Sequence, residues 1–297
     1  MATRALFQRY GRLQATTPKG PRPAARIPCT RPLVTVNSAD AQTHFGYRQV
    51  DMQEKPQLVQ DVFDSVARSY DVMNDAMSLG MHRLWKDHFV NRLAPWDGMR
   101  LVDVAGGTGD IAFRVLRAAP QAEALVVDVN QNMLQVGERR AHAAALSSGE
   151  PSSARARPRL RFMHGDAESL PLDAEQFDAY TISFGMRNVA RPERALAEAV
   201  RVLRRGGRFL MMELSAMPED RFPLLRQAYD TYSFRVIPQL GQWIANDRAA
   251  YEYLVQSIRR FPPPAQVGAT MRDAGLQALT TEELCFGVVC IYSGWKV

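Results

Sequence analysis

The run Leu101-Val102-Asp103-Val104-Ala105-Gly106-Gly107-Thr108-Gly109-Asp110 decides the fold of this 297-residue chain. An apolar strand stops at an acidic residue and a glycine-rich turn, and a helical pattern starts at once, from Ile111 to Ala118. Glycine allows positive φ and close approach of backbone to a ligand, while the helix that follows turns unsatisfied N–H groups toward it. A turn of this kind seats a nucleotide-sized cofactor.

Two cofactor classes use this plan. Gly107-x-Gly109-x-x-Ala112 fits the relaxed dinucleotide fingerprint, and Asp128 ends the apolar run Ala124 to Val127 about 20 residues further on, where a ribose-binding carboxylate belongs. NAD-dependent oxidoreductases and S-adenosylmethionine-dependent methyltransferases both place an acid there. Asp103 tilts the choice, because it can accept a hydrogen bond from the amino group of a methionine moiety but would repel a pyrophosphate. Asp166, in His164-Gly165-Asp166-Ala167, follows a third predicted strand and can accept from an adenine amino group. Three acidic strand ends in succession favour the methyltransferase.

Around this unit the pattern alternates. Strands are expected at 100–104, 124–129, 160–164, 177–183 and 208–214, and helices at 110–118, 131–145 and 192–203, which argues a parallel sheet covered on both faces with ligands at the strands' carboxyl ends. Helical spacing of Val59, Val62, Phe63, Val66 and Tyr70 predicts a helix from Pro56 to Tyr70, with another from about Arg83 to Leu93. Leu279 to Ile291 reads as closing strands. Residues 147–159 read as a surface loop, and 221–262 as a helical insertion. Its first part packs Phe222, Leu224, Leu225, Tyr229, Tyr232, Phe234, Val236, Ile237, Leu240, Trp243 and Ile244 together, as core or as a lid over an apolar substrate.

Composition narrows the class. The chain is 46% hydrophobic, enough for a full core, and carries a net charge of +6. Residues 1–36 hold Arg4, Arg9, Arg12, Lys19, Arg22, Arg26 and Arg31 and no acid, so the whole positive excess lies there and the remainder is slightly acidic. Nucleic acid is therefore not an expected partner. With Leu6, Phe7, Tyr10 and Leu13 interspersed, the segment reads as an amphipathic mitochondrial transit peptide. Cys285 and Cys290 lie five apart on a predicted strand and read as reduced, packed thiols. No run of 18 apolar residues exists, and the histidines lack ligand spacing, so neither a membrane span nor a metal is expected.

Several long motifs carry a resemblance. Tyr70 to Lys86 (YDVMNDAMSLGMHRLWK), Arg201 to Glu213 (RVLRRGGRFLMME) and Phe184 to Asn188 (FGMRN) resemble signatures of the ubiquinone/menaquinone biosynthesis C-methyltransferase family, and the likeness runs over roughly 43–297. Arg204-Arg205 departs from a common Lys-Pro, and Leu214 stands where an aromatic is usual. The resemblance implies a Rossmann-like class I S-adenosylmethionine-dependent methyltransferase fold over 43–297, mostly parallel, with N-terminal helices and the 221–262 insertion as a substrate lid. It implies that Thr108, Asp128, Asp166 and Ala167 contact S-adenosylmethionine, beside Asp103, Gly107 and Gly109 of the turn. The activity it implies is C-methylation of a polyprenylated methoxy-benzoquinol ring. It further implies company with other ubiquinone-biosynthesis proteins in a multi-subunit complex, and room for a homodimer. A lipid tail and the leader together point to the mitochondrial matrix, peripheral on the inner membrane.

A quinone ring is electron-poor, so the substrate should be the reduced quinol, whose ring becomes nucleophilic as a hydroxyl loses its proton. Arg187 is the candidate to stabilise the developing phenolate or orient a water that removes the proton; its permanent charge makes it a poor direct base. Asn188 and Tyr70 are candidates to fix the quinol oxygens. His82 reads either as a base or, preferably, as a polar residue flanking a helix. Two rivals stand beside this. A short-chain oxidoreductase would want Tyr-x-x-x-Lys on a helix, and Tyr292 and Lys296 have that spacing only in extended context; a non-catalytic scaffold would not need Arg187.

Overall fold

Leu101, Val102, Asp103 and Val104 are all buried, on both faces of their strand, which is the mark of a central position in a parallel sheet. The computed structural model describes residues 42–66, 69–148, 159–218 and 221–297. The basic segment 1–36, the middle of the Ser/Pro-rich loop and the side chain of Tyr70 lie outside the described residues.

The described chain opens with a hairpin of β1 (Gln42–Phe45) and β2 (Arg48–Asp51), turned at Gly46 with φ +58°, and three helices, α1 (Lys55–Val66), α2 (Tyr70–Ser78) and α3 (Met81–Leu93). The alternating part follows as β3 (Arg100–Val104), α4 (Asp110–Ala118), β4 (Glu123–Asp128), α5 (Gln131–Ser148), β5 (Leu160–His164), β6 (Phe177–Ser183), α6 (Pro192–Val202) and β7 (Leu203–Leu214). Then come α7 (Pro223–Thr231), a π-helical turn at Tyr232–Val236, α8 (Ile237–Ala245), α9 (Arg248–Arg260), α10 (Pro264–Asp273), β8 (Leu276–Leu284) and β9 (Val289–Lys296).

Seven strands form one sheet in the order β5-β4-β3-β6-β7-β9-β8, parallel except for β9, which pairs antiparallel with both neighbours. The strand order reverses between β3 and β6, and a crevice opens at such a point beyond the carboxyl ends. Val102, Tyr180, Phe209 and Tyr292 face one side of the sheet with Leu196 of α6 and Met271 of α10; Leu101, Val126, Leu210 and Ile291 face the other with Phe89 of α3 and Ile111 of α4. The Rossmann-like class I methyltransferase architecture is therefore present, with helices on both faces.

Three expectations need correction. The helix expected from Pro56 to Tyr70 stops at Val66, and Tyr70 instead opens α2, with Ser69 at its N-cap and Asp71 in its first turn, where an acid is favoured. Cys285 and Cys290 do not share a strand: Cys285 starts a 3-10 turn with φ +49°, and only Cys290 lies on β9, fully buried. In the insertion, seven of the eleven apolar residues named above (Phe222, Leu224, Leu225, Phe234, Val236, Trp243 and Ile244) are exposed, so less of it is core than its composition suggests.

Candidate active site

The turn after β3 is built by positive φ at Ala105 (+51°), Gly107 (+54°) and Gly109 (+82°). A Cβ on Gly106 would lie 2.7 Å from Asp103 Oδ2 and 2.9 Å from its carbonyl oxygen, so glycine is needed where the chain doubles back over the strand. Gly109 sits at the N-cap of α4 and packs against Phe162; it shapes the turn and does not line the cavity.

Asp103 has no exposed surface, and its register partner on β6, Thr181, donates to Oδ1 at 2.7 Å. Oδ2 is buried with no partner among the described residues. Burial pushes this carboxyl up to about 7, against the pull of the Thr181 hydroxyl. Asp128, at the end of β4, accepts from the N–H of Gly107 and the N–H of Asn130, each at 2.8 Å. Burial raises its pKa, and those backbone donors oppose the rise. Asp166 lies two residues beyond β5, with Oδ1 accepting from the N–H of Glu168 at 2.9 Å. Asp103, Gly107, Thr108, Asp128, Asp166 and Ala167 line one cavity, and Asn188 lines it too.

Residues missed by that reading complete this wall. Asn130 and Met133 line the cavity, and Asn130 Oδ1 accepts from the N–H of Met133, capping α5. The signal was present as an Asn just before a helical run. Lys86, 6% exposed, donates to Asp110 Oδ2 at 2.7 Å and so ties α3 to the first turn of α4.

A second cavity adjoins the first, and Phe63, Lys86, Phe184 and Asn188 line both. Much of its remaining wall is aromatic and aliphatic, with Trp85 from α3 and Tyr229, Tyr232, Ile237, Tyr251 and Leu254 from the insertion. Arg187 belongs to this second cavity and not to the first. It lies in the 3-10 turn Met186–Asn188 after β6, where its guanidinium pairs with Glu213, a β7 residue with no exposure, and donates to the Phe184 carbonyl at 2.5 Å. Arg187 Nε remains buried without a partner among the described residues. Asn188 Oδ1 accepts from the Tyr253 hydroxyl at 2.9 Å, linking this turn to α9.

His82 is also on the second cavity's wall, 7% exposed, with Nε2 2.8 Å from Asp75 Oδ1 and Nδ1 buried without a partner among the described residues. It is a buried member of the wall and not the flanking residue expected. Among the described residues no group of three or more His, Cys, Asp or Glu is placed to hold a metal ion.

Residues 50–296 match the profile of the ubiE/COQ5 methyltransferase family. The chain belongs to that family. Relatives include the ubiquinone/menaquinone biosynthesis C-methyltransferase UbiE of Dinoroseobacter shibae, 51% identical over 260 residues, covering 88% of this chain and 99% of that one. The mitochondrial 2-methoxy-6-polyprenyl-1,4-benzoquinol methylase of Arabidopsis thaliana is 46% identical over 271 residues, covering 86% and 90% respectively. A SAM-dependent methyltransferase from Aquifex aeolicus shares the fold, with a TM-score of 0.50 at 13% identity over 71% of this chain and 89% of that one.

This member of the ubiE/COQ5 family is an S-adenosylmethionine-dependent C-methyltransferase. The first cavity's chemistry fits the donor. A buried carboxyl oxygen at Asp103 lacks a partner among the described residues, which suits an ammonium, and the only described lysine on the wall, Lys86, is already paired with Asp110.

Proposed function

We propose that this methyltransferase transfers a methyl group to a ring carbon of a reduced 2-methoxy-6-polyprenyl-1,4-benzoquinol in ubiquinone biosynthesis. The observation that carries this reading is the shared wall. An acidic, glycine-lined cavity and an apolar, aromatic one meet at Phe63, Phe184 and Asn188. When bound, S-adenosylmethionine supplies an electrophilic methyl on a sulfonium. Asp103 takes the donor's amino group, Asp128 its ribose hydroxyls and Asp166 its adenine amino group, with Thr108 and Ala167 closing the wall. Asn188 orients a quinol oxygen, and Arg187 Nε donates to the phenolate as charge develops. The insertion 221–262 covers the ring and the start of the tail as a lid.

The exposed apolar side chains of α7 and α8, Leu224 at 82% and Trp243 at 77% among them, support contact with the membrane that holds the tail. No helix among the described residues is long and apolar enough to cross a membrane. The basic segment 1–36 supports import into mitochondria, with 43–297 as the working domain. The mitochondrial relative from Arabidopsis thaliana supports this reading.

Purified protein given labelled S-adenosylmethionine and a short-tailed methoxy-quinol should add one methyl to ring carbon, and only when the ring is kept reduced. Methylation at oxygen, or equal activity on the oxidised quinone, would overturn the reading.

A further inference from the structure

Loss of a hydroxyl proton is the step that turns the ring into a nucleophile, and the described wall of the second cavity offers few groups able to accept that proton. Arg187 and Lys86 are cationic and committed to Glu213 and Asp110. The hydroxyls of Tyr229, Tyr232 and Tyr253 are held neutral because burial pushes each upward, Tyr253 to about 12. The Tyr232 hydroxyl donates to the Met77 carbonyl and that of Tyr253 to Asn188. Ser78 donates to the Asn74 carbonyl. His82 is different in kind.

Its ring is anchored at Nε2. Asp75 also receives two hydrogen bonds from Arg83, which with that of His82 hold its carboxyl far below the usual range, so it is a carboxylate and Nε2 carries the proton. That fixes the tautomer and leaves a lone pair on Nδ1, which is buried and has no partner among the described residues. Asp75 and His82 lie on different helices, α2 and α3, so the pair is a tertiary arrangement and not a helix-surface contact. Burial pushes the imidazole below its ordinary value, against the hydrogen bond it donates to Asp75, so the ring is neutral at pH 7. The charged groups around it are Asp75 and Arg83, Lys86 one turn along α3, Asp110 on α4, and Arg187 with Glu213 across the cavity.

We propose that His82, oriented by Asp75, is the general base that removes the quinol hydroxyl proton, an inference that rests on the second cavity being the quinol site. The hydroxyl proton passes to Nδ1, and the resulting imidazolium is stabilised by the Asp75 carboxylate. The ring carbon then forms its bond to the methyl as the methyl–sulfur bond breaks, the electron pair staying on sulfur. The ring carbon's own proton moves to the oxygen to restore the aromatic hydroxyl, and His82 returns its proton to solvent. One proton is released per turnover, and no oxidant or reductant is required. Arg187 Nε and His82 Nδ1 thus divide the work, one donating to the oxyanion and the other taking the proton.

The test uses full-length protein and a series of short-tailed methoxy-quinols carrying increasingly electron-withdrawing substituents away from the reacting carbon. His82→Gln should lower kcat by roughly 10²-fold or more on the parent quinol. The deficit should shrink steadily as the hydroxyl becomes more acidic, while S-adenosylhomocysteine affinity and Tm hold. A deficit of the same size on every analogue, or none, would overturn the proposal. Should the variant fail to fold, the unmodified enzyme decides: its acid limb in kcat should vanish with an analogue already ionised at pH 7, and persistence of that limb would overturn the assignment. Absence of ring methylation by the unmodified enzyme on every analogue would instead remove the quinol reading, and this proposal with it.

Discussion

Glu213 on β7 holds both the guanidinium and the backbone N–H of Arg187, the latter at 3.1 Å, so one carboxylate with no solvent exposure fixes the turn that follows the neighbouring strand β6. Breaking a buried ion pair from one side leaves an uncompensated charge and costs about 3–5 kcal/mol. Glu213→Gln should therefore lower Tm sharply in thermal denaturation, beyond what loss of one surface contact would do.

Arg187→Ala acts on the same pair but reads out differently. Arg187 lines the second cavity and not the first, so turnover should fall by about 10²-fold or more, in line with removal of an oxyanion donor, while S-adenosylhomocysteine affinity changes little. Steady-state kinetics beside calorimetry separates the two quantities. Equal loss in both would place Arg187 outside the reaction.

Asp128→Ala removes the acceptor for the Gly107 and Asn130 N–H groups together with the proposed ribose contact. Hydrogen bonds to a charged group contribute about 1.5–3 kcal/mol each, so S-adenosylhomocysteine should bind at least about tenfold more weakly. Unchanged affinity by calorimetry would show that the carboxylate shapes the turn without touching the ligand.

Asp103 makes stability depend on pH in a stated direction. Its carboxyl is raised to about 7 in the fold, whereas an unfolded Asp titrates near 3.8, so the native protein holds an extra proton between those values. Where the native state binds more protons, stability falls as pH rises, so the ligand-free protein should lose Tm from pH 4 towards 7, with this contribution flat above about 8. Asp103→Asn should flatten that slope, and an unchanged slope in the variant would assign it to other groups.

Trp243→Ser tests the membrane-facing surface. At 77% exposure the substitution should change folding stability by about 0.5 kcal/mol or less, whereas co-flotation with anionic vesicles should drop several-fold. Undiminished flotation would move the contact elsewhere.

Much of the first cavity was legible because its residues come from short, repeated local units. β3 and β4 are apolar runs that reach an acid at or one residue before their ends, Asp166 follows β5 by two residues, and these three strands lie side by side in the sheet. The second cavity was not legible in that way. Its walls come from α1, α2, α3, the turn after β6 and the insertion, and contacts such as Tyr253 with Asn188 join residues 65 apart with no local pattern to announce them. The surroundings of His82 are hidden for the same reason: the packing of α2 on α3 brings Asp75 to its buried ring. The β1–β2 hairpin leaves no pattern in the sequence because two four-residue strands are too short to show an alternation.

The position of β9 between β7 and β8 has a consequence for assembly. The ribosome makes β8 before β9, yet within the sheet β8 hydrogen-bonds only to β9, so the earlier segment has nowhere to dock until the later one has arrived beside β7. The last two strands must be added as a pair, through a β7–β9 ladder that bridges some 80 residues of chain, a slow closure by the usual scaling of folding rate with contact separation. A frameshift or cut inside 289–296 would strip both strands from the sheet and expose the flank of β7, a natural target for quality-control proteases.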